Sequence, residues 1–245
     1  MGKEQFQPIA NTSPDTTLNK LKFFGRMLLD FQILSIYQHV KKIAPKMQGK
    51  VLDVGCGDSP YKHLLSPAVE YKGIDVNIAD DFKYKNSNVI LFDGKHIPFE
   101  DNTFDGIICT EVLEHCEDFK TLVDEMYRVC KKGAIGVITI PWSARYHYIP
   151  YDYFRYTPST LKNMFSSFSE AEVLSRGTDI NAICSKIVVL FFRNLTNFGN
   201  PLTFLLALLF SPIILLPAVI ISHIALYFSI GSQDDPLGYT IYIKK

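Results

Sequence analysis

Short runs of β-branched and apolar residues alternate along this chain with stretches whose apolar positions recur every three or four residues, a pattern that predicts strands interleaved with helices. The strand runs are Val51–Val54, Tyr71–Val76, Val89–Phe92, Gly106–Cys109, Ala134–Ile140 and Ala171–Arg176, with Tyr239–Ile243 as a seventh. From Thr17 to Ala44 the positions Leu21, Phe24, Leu28, Phe31, Leu34 and Tyr37 keep helical spacing, and Pro45 and Gly49 then end the helix. Tyr61–Leu65 opens a first crossover helix, with Pro60 in its first turn, where proline is tolerated. Asp118–Val129 is amphipathic, and a further helix opens in the run Arg155-Tyr-Thr-Pro-Ser-Thr-Leu-Lys162. Five strands separated by helical crossovers imply a parallel sheet with right-handed connections, an α/β fold. Residues 1–16 read as a loose polar tail.

One stretch departs from this alternation. Residues 194–233 contain no Lys, Arg, Asp or Glu, and Leu202–Ile230 is dense in Leu, Ile and Phe, interrupted by Pro212 and Pro217. A segment of that length without charge is a membrane candidate.

Composition narrows the classes of partner. The 25 basic and 25 acidic residues balance, so there is no basic surplus to point to nucleic acid. Five cysteines stand at 56, 109, 116, 130 and 184 without a C-x-x-C pair, which reads as reduced thiols facing a cytosol and no metal site. The polar start of the chain shows no apolar signal-peptide core.

The chemistry concentrates at Lys50-Val-Leu-Asp-Val-Gly-Cys-Gly-Asp58. A buried strand runs directly into Gly55 and Gly57, which let the backbone turn sharply and approach a ligand closely. The dinucleotide fingerprint would place a third glycine at position 60, and Pro60 stands there, which disfavours NAD or FAD and makes a Rossmann oxidoreductase a distant third reading. Asp53 puts a carboxylate inside the strand, and Asp75 ends the second strand 22 residues further on, where a carboxylate can accept from both ribose hydroxyls of a nucleoside.

These residues resemble the first motif of the class I S-adenosylmethionine (SAM) dependent methyltransferases, hydrophobic-hydrophobic-Asp-hydrophobic-Gly-x-Gly. A second match lies at Ile97-Pro-Phe-Glu-Asp-Asn-Thr-Phe-Asp-Gly106, followed by a strand and a hydrophobic-Glu-His helix at Glu111–His115. Arg128-Val-Cys-Lys-Lys-Gly133 resembles the turn that precedes the family's fifth strand, with Lys132 in the usual place of proline. The likeness is to the small group of type 11 methyltransferases associated with glycans and lipids. It implies a Rossmann-like doubly wound seven-stranded sheet with an antiparallel last strand. It also implies SAM as cofactor, held by Asp53, Gly55, Cys56, Gly57, Asp75, Val76, Asp93, Gly94 and Glu111, with Asp93 accepting from the adenine amino group. His115 is left open between a general base and a cap on the cofactor pocket.

Beyond the fifth strand, Pro141–Tyr156 packs Trp142, five tyrosines, His147, Asp152 and two arginines into 16 residues. At the carboxyl edge of the sheet this loop overhangs the methyl group. Trp142, Tyr148 and Tyr153 suit sugar faces or polar headgroups, and Arg145 and Arg155 suit a phosphate or carboxylate. His147 is the candidate base for a hydroxyl proton, and Asp152 either orients it or is itself the base.

The domain reading is a tail at 1–16, a SAM-binding domain at 17–177 and 237–245, and an apolar insertion at 178–236. If the sixth and seventh strands pair, both ends of the insertion lie on one side of a bilayer. Leu202–Ile230 is then a hairpin or re-entrant dip bent near its prolines, or a pair of interfacial helices; the soluble alternative is an apolar hairpin buried between copies of the chain. The reading is methyl transfer to a small or lipid-linked acceptor, a glycan hydroxyl first and a quinone-type ring second, at the cytoplasmic face of a membrane. The opposing class is a non-catalytic SAM-binding scaffold of a membrane complex.

Overall fold

The computed structural model describes residues 9, 11–76, 89–196 and 199–245. Its seven strands are β1 (Lys50–Val54), β2 (Glu70–Val76), β3 (Ile90–Phe92), β4 (Phe104–Thr110), β5 (Cys130–Pro141), β6 (Glu170–Arg176) and β7 (Gly238–Lys244). They form one sheet in the order β3-β2-β1-β4-β5-β7-β6. The first five are mutually parallel, and β7 runs antiparallel between β5 and β6. The direction of winding reverses between β1 and β4, and in open α/β sheets the ligand crevice opens at that switch point, beyond the carboxyl ends of the strands.

The central strands are apolar at consecutive positions because the sheet is covered on both faces. Leu52, Val54, Ile107, Cys109, Ile138 and Ile140 point into one core layer with α3 (Phe119–Val129). Val51, Ile108 and Val137 point into the other, against the N-terminal helices. The Asp118 carboxylate starts α3 by accepting from the Thr121 N–H at 3.3 Å. A β-bulge between Phe104 and Gly106 absorbs the Cys130–Gly133 segment, so the expected turn before the fifth strand is part of a long, irregular β5.

Four expectations are corrected. The helix read over Thr17–Ala44 is two, α1 (Thr17–Arg26) and α2 (Phe31–Ile43), because Asp30 caps a new helix by accepting from the Ile33 N–H and pairs with Arg26 at 2.8 Å. The break rotates the apolar stripe, so Phe23, Met27 and Phe31 are buried while Leu21, Phe24 and Leu28 face outward. The crossover helix at Tyr61–Leu65 is a single 3₁₀ turn, Lys62–Leu64, in a connection closed by Pro60 and Pro67. The connection from β3 to β4 contains no helix either, while the one at 77–88 lies outside the described residues. Glu111 and His115 do not share a helix face, since Glu111 has a left-handed backbone (φ 54°) ahead of a short 3₁₀ turn, Leu113–His115.

The fourth correction concerns the apolar insertion. It holds α5 (Asp179–Leu195), α6 (Pro201–Phe210) and α7 (Leu216–Phe228). The helix continues through both prolines without a break. A π-turn at Ser211–Leu215 joins α6 to α7, and its wider winding accommodates Pro212, which has no N–H to give and would crowd the preceding turn of a regular helix. Pro201–Phe228 is thus one helix of 28 residues, long and apolar enough to cross a membrane. It packs back along α5 through Ala182, Ala218 and Ala225, and the Asn181 amide donates to the Ser222 carbonyl and hydroxyl at 2.7 and 2.9 Å. Phe31 and Leu237 complete that core, so the insertion is fused to the domain.

Candidate functional site

The site grows from the end of β1. Gly55 and Gly57 have positive φ angles of 65° and 47°, and a Cβ on Gly55 would stand 2.4 Å from Val112 Cγ2. The Gly55 and Cys56 N–H groups donate to the Ile74 carbonyl at 2.9 and 3.1 Å, which ties the loop to β2. Asp75 then sets its shape: one carboxylate oxygen accepts from the Gly57 N–H and the other from the Val76 N–H, each at 2.8 Å. Burial raises the Asp75 carboxyl against the pull of these two N–H groups.

Asp53 lies beneath the loop and does not line the open space. Its Oδ2 accepts from the Tyr71 hydroxyl at 2.7 Å, and that hydroxyl meets Ser59 Oγ at 2.8 Å. Burial pushes the Asp53 carboxyl up to about 7, with the Tyr71 bond opposing and the Asp75 charge adding to the rise. Asp53 therefore braces the loop from below. Cys56 is buried, and burial raises its thiol, which leaves it inert.

After β3, Asp93 and Gly94 make a tight turn. The Asp93 carboxylate accepts from the His96 and Lys95 N–H groups at 2.6 and 2.7 Å and bonds the His96 ring at 2.9 Å, which holds it below the usual carboxylate range. Gly94 (φ 82°) keeps its backbone close to Val76.

At the end of β4, the Glu111 N–H donates to the Thr139 carbonyl and Glu111 Oε1 accepts from Arg176 Nη2 at 2.7 Å. Arg176 is fully buried at the end of β6, where its guanidinium also reaches Ser35 Oγ and the Ile140 carbonyl. Gly238 makes room for it: a Cβ there would stand 2.3 Å from Arg176 Nη2. Nothing in the sequence marks Arg176, because an arginine ending an edge-like strand ordinarily reads as exposed.

A second network lies under the aromatic loop. His115 Nδ1 lies 2.6 Å from the Tyr151 carbonyl, and its Nε2 faces Glu114 Oε1 at 3.6 Å. His147 Nδ1 lies 2.9 Å from Asp152 Oδ2 and 2.9 Å from the Arg145 carbonyl. Arg155 holds both oxygens of Asp152, at 2.6 and 2.9 Å. Burial lifts the Asp152 carboxyl, and the bonds from His147 and Arg155 more than reverse it, leaving it below its usual range. So held, the carboxylate is placed to orient His147 through its Nδ1. Burial lowers the His115 imidazole to about 4, so it is neutral at neutral pH. Sequence reasoning missed Glu114, whose side chain is fully buried.

These elements enclose a cavity of about 1580 Å³. Single-ligand pockets run to about 300–1,000 Å³, so there is room for a cofactor and a second molecule together. Of the predicted cofactor residues, Gly55, Cys56, Gly57, Asp75, Val76, Asp93, Gly94 and Glu111 line it, and Asp53 does not. Of the loop residues, Arg145, His147, Tyr148 and Tyr153 line it. Trp142, Asp152 and Arg155 stand outside the lining. The Trp142 indole packs edge-on against Tyr239 and donates to Asp235 at 2.8 Å, and Arg155 is turned inward onto Asp152. The remaining lining comes from α5, where Val188, Val189, Leu190 and Phe192 stand beside Lys186 and Arg193, and from the N-terminal segment, where Phe23, Leu29 and Ile33 stand beside Lys22 and Arg26. An apolar helix over Ile183–Phe192 is legible in the sequence, but its place against the cavity is not, because the sequence leaves open where that segment sits in the fold.

Residues 52–138 match the Methyltransferase domain family. The chain is 32% identical over 121 residues to an uncharacterised protein of Methanocaldococcus jannaschii, covering 47% of this chain and 53% of that one. It is 31% identical over 147 residues to a demethylmenaquinone methyltransferase of Geobacillus, covering 54% of this chain and 63% of that one. The chain thus spans little more than half the length of these curated relatives. A crystal structure of a SAM-dependent methyltransferase from Archaeoglobus fulgidus superposes with a TM-score of 0.55 at 21% identity, covering 94% of this chain and 99% of that one. A Haemonchus contortus phosphoethanolamine N-methyltransferase in complex with SAM gives 0.51 at 16% identity, covering 93% and 59%. At such identities the likeness is one of fold.

Proposed function

We propose that the chain is a class I SAM-dependent methyltransferase that moves the methyl group of SAM to a hydroxyl of a lipid-borne acceptor at a membrane surface. One observation carries the reading. One cavity takes in both the glycine loop with Asp75 and the apolar side chains Val188, Val189, Leu190 and Phe192 of α5, edged by Lys186 and Arg193, and α5 is itself packed against the exposed apolar helix Pro201–Phe228. A polar end suits the nucleoside of SAM, and an apolar end beside an apolar surface suits a lipid entering sideways.

The exposed surface supports membrane contact. Leu205, Leu209, Ile213 and Leu216 stand out from the long helix, and Leu21 and Leu28 of the N-terminal segment are exposed as well. An apolar area of this extent marks an interaction site. Because β6 and β7 pair, a crossing by the long helix alone would put the two strands on opposite sides of a bilayer. The reading is therefore a monotopic attachment, with α5 and the long helix lying in the interface on the cytoplasmic face.

Within the cavity, Asp75 and the glycine loop would hold the ribose and methionine portions of SAM, and the 143–153 loop would meet the acceptor. Transfer is an in-line displacement in which positioning supplies much of the acceleration. A second reading, a ring carbon of a quinone-type acceptor, is favoured by the apolar side chains of α5 and by the names of the demethylmenaquinone methyltransferase relatives.

Two titrations and a sedimentation test the reading. S-adenosylhomocysteine should bind the purified chain and NAD should not. The chain should sediment with anionic vesicles, and Leu205→Glu with Leu209→Glu should release it while leaving S-adenosylhomocysteine affinity unchanged. Absence of S-adenosylhomocysteine binding would return the weight to a scaffold, and a wild-type chain left in the supernatant would remove the membrane from the account.

A further inference from the structure

Glu114 is fully buried, and neither of its carboxylate oxygens accepts a hydrogen bond from any described residue. An ionised carboxylate so placed costs several kcal/mol unless a cation or a proton compensates it. Arg155, Glu111 and Asp152 act on it through their charges, and the groups near enough to share an ion with it are two imidazoles. One coordinating atom each from Glu114, His115 and His147 can be chosen so that all lie within 4.8 Å of one another.

The two histidines are arranged as metal ligands are. Each has its Nδ1 engaged in a bond that fixes the ring: His115 to the Tyr151 carbonyl at 2.6 Å, and His147 to the Asp152 carboxylate at 2.9 Å, itself gripped by Arg155. This is how protein scaffolds orient ligating imidazoles and set their tautomer, leaving Nε2 as the coordinating nitrogen. His115 Nε2 already faces Glu114. Both rings line the cavity, edge to face with centroids 5.0 Å apart, while Glu114 closes the site from behind. Ligands on a tetrahedral ion at about 2.0–2.2 Å stand about 3.3–3.6 Å apart, so atoms that lie within 4.8 Å of one another need to close by at most about 1.5 Å.

We propose that Glu114, His115 and His147 form a site for one divalent first-row transition ion in the wall of the cavity, with an open coordination position toward the acceptor. Two nitrogens and one carboxylate oxygen suit zinc, manganese, iron or cobalt, and imidazole is a poor ligand for magnesium. Three protein ligands with an open place are the arrangement of a reactive ion. Its role rests on the methyl-transfer reading above: an ion there lowers the pKa of a bound hydroxyl. The hydroxyl proton passes to solvent, an oxygen lone pair forms the bond to the methyl carbon, and the carbon–sulfur electron pair stays on sulfur, leaving neutral S-adenosylhomocysteine. The ion site itself does not depend on that reading.

The test uses the full chain in detergent, stripped of metal by a chelator and titrated with Zn²⁺ and separately with Mn²⁺. One equivalent should bind, Glu114→Gln and His147→Gln should each weaken binding by about tenfold or more, and pulsed electron paramagnetic resonance of the Mn²⁺-loaded wild type should show coupling to imidazole nitrogen. The spectrum needs no variant, so a substitution that fails to fold does not stand in the way. Absence of saturable binding of either ion, binding equally tight in both folded variants, or a spectrum without nitrogen coupling would overturn the site. S-adenosylhomocysteine titrated into the same preparation keeps the two claims apart. A chain that binds S-adenosylhomocysteine and no ion refutes the metal site alone, and one that binds the ion and not S-adenosylhomocysteine keeps the site and refutes methyl transfer.

Discussion

Glu111→Ala removes the only carboxylate that pairs with Arg176 among the described residues, and the consequence can be worked from the geometry. The Arg176 guanidinium would remain fully buried with Ser35 Oγ at 3.2 Å, the Ile140 carbonyl at 3.0 Å and the Tyr239 carbonyl at 3.3 Å, all neutral acceptors. Removing one partner of a buried ion pair costs about 3–5 kcal/mol, because the other charge is left in a poor medium. Here the Glu111 side chain is 26% exposed, so water from the cavity can follow its loss. The expected cost is therefore below that range, about 2–3 kcal/mol. In a chain of this size that corresponds to a fall in Tm of about 5–10 °C. Glu111→Gln keeps an oxygen for Arg176 Nη2 and should cost about 1 kcal/mol. Urea unfolding followed by circular dichroism reads both, with a shifted midpoint and an unchanged slope. If Glu111→Ala unfolds within about 0.5 kcal/mol of wild type, as an unremarkable surface substitution would, the pair does not hold the end of β6 to the cavity and the reasoning fails.

Three further outcomes are expected. Asp75→Ala should weaken S-adenosylhomocysteine binding by about 1.5–3 kcal/mol in calorimetry, through loss of a charged acceptor and of the bond that shapes the loop at Gly57; unchanged affinity would remove Asp75 from the site. Gly238→Ala should destabilise by about 1–3 kcal/mol or more, because the new methyl would meet Arg176 Nη2 at 2.3 Å and the Ile140 carbonyl at 2.5 Å, and wild-type thermal stability would show that the strand gives way freely. The Asp53 carboxyl is raised from 3.8 to about 7 by folding, so the folded state holds the extra proton between those values. The stability this contributes is full below the lower value and is lost as pH rises through the upper one. Asp53→Asn should flatten that decline in urea midpoints measured across the window, and parallel profiles would assign it to another group.

Much of the sheet was legible because strands buried on both faces must be apolar at consecutive positions, as Val51 and Leu52 and the run Ile107–Cys109 are. The glycine loop was legible for a related reason, since the sharp turn against Val112 leaves no space for a side chain. The N-terminal helix was misread because apolar spacing continued smoothly across a break that one cap, Asp30, decides. The prolines of the insertion were misread because a π-turn can take up Pro212, and local sequence does not announce that. Within the site, the carboxylates that end successive strands were found from their register. What was missed depends on distance in sequence: Glu114 meets His147 across a loop, and Arg176 reaches Glu111 from 65 residues away. Loop side chains were harder still, and Trp142 and Arg155, chosen for chemistry that suits an acceptor, are held by Asp235 and Asp152 instead.

The most direct measurement of the central claim is incorporation of tritium from methyl-labelled SAM into a membrane lipid extract by the full chain in detergent. The account predicts label in the organic-soluble fraction, dependent on enzyme concentration and lost or sharply reduced in Asp75→Ala. Label that appears only in water-soluble products or in protein, or no label with a preparation that binds S-adenosylhomocysteine, would contradict it.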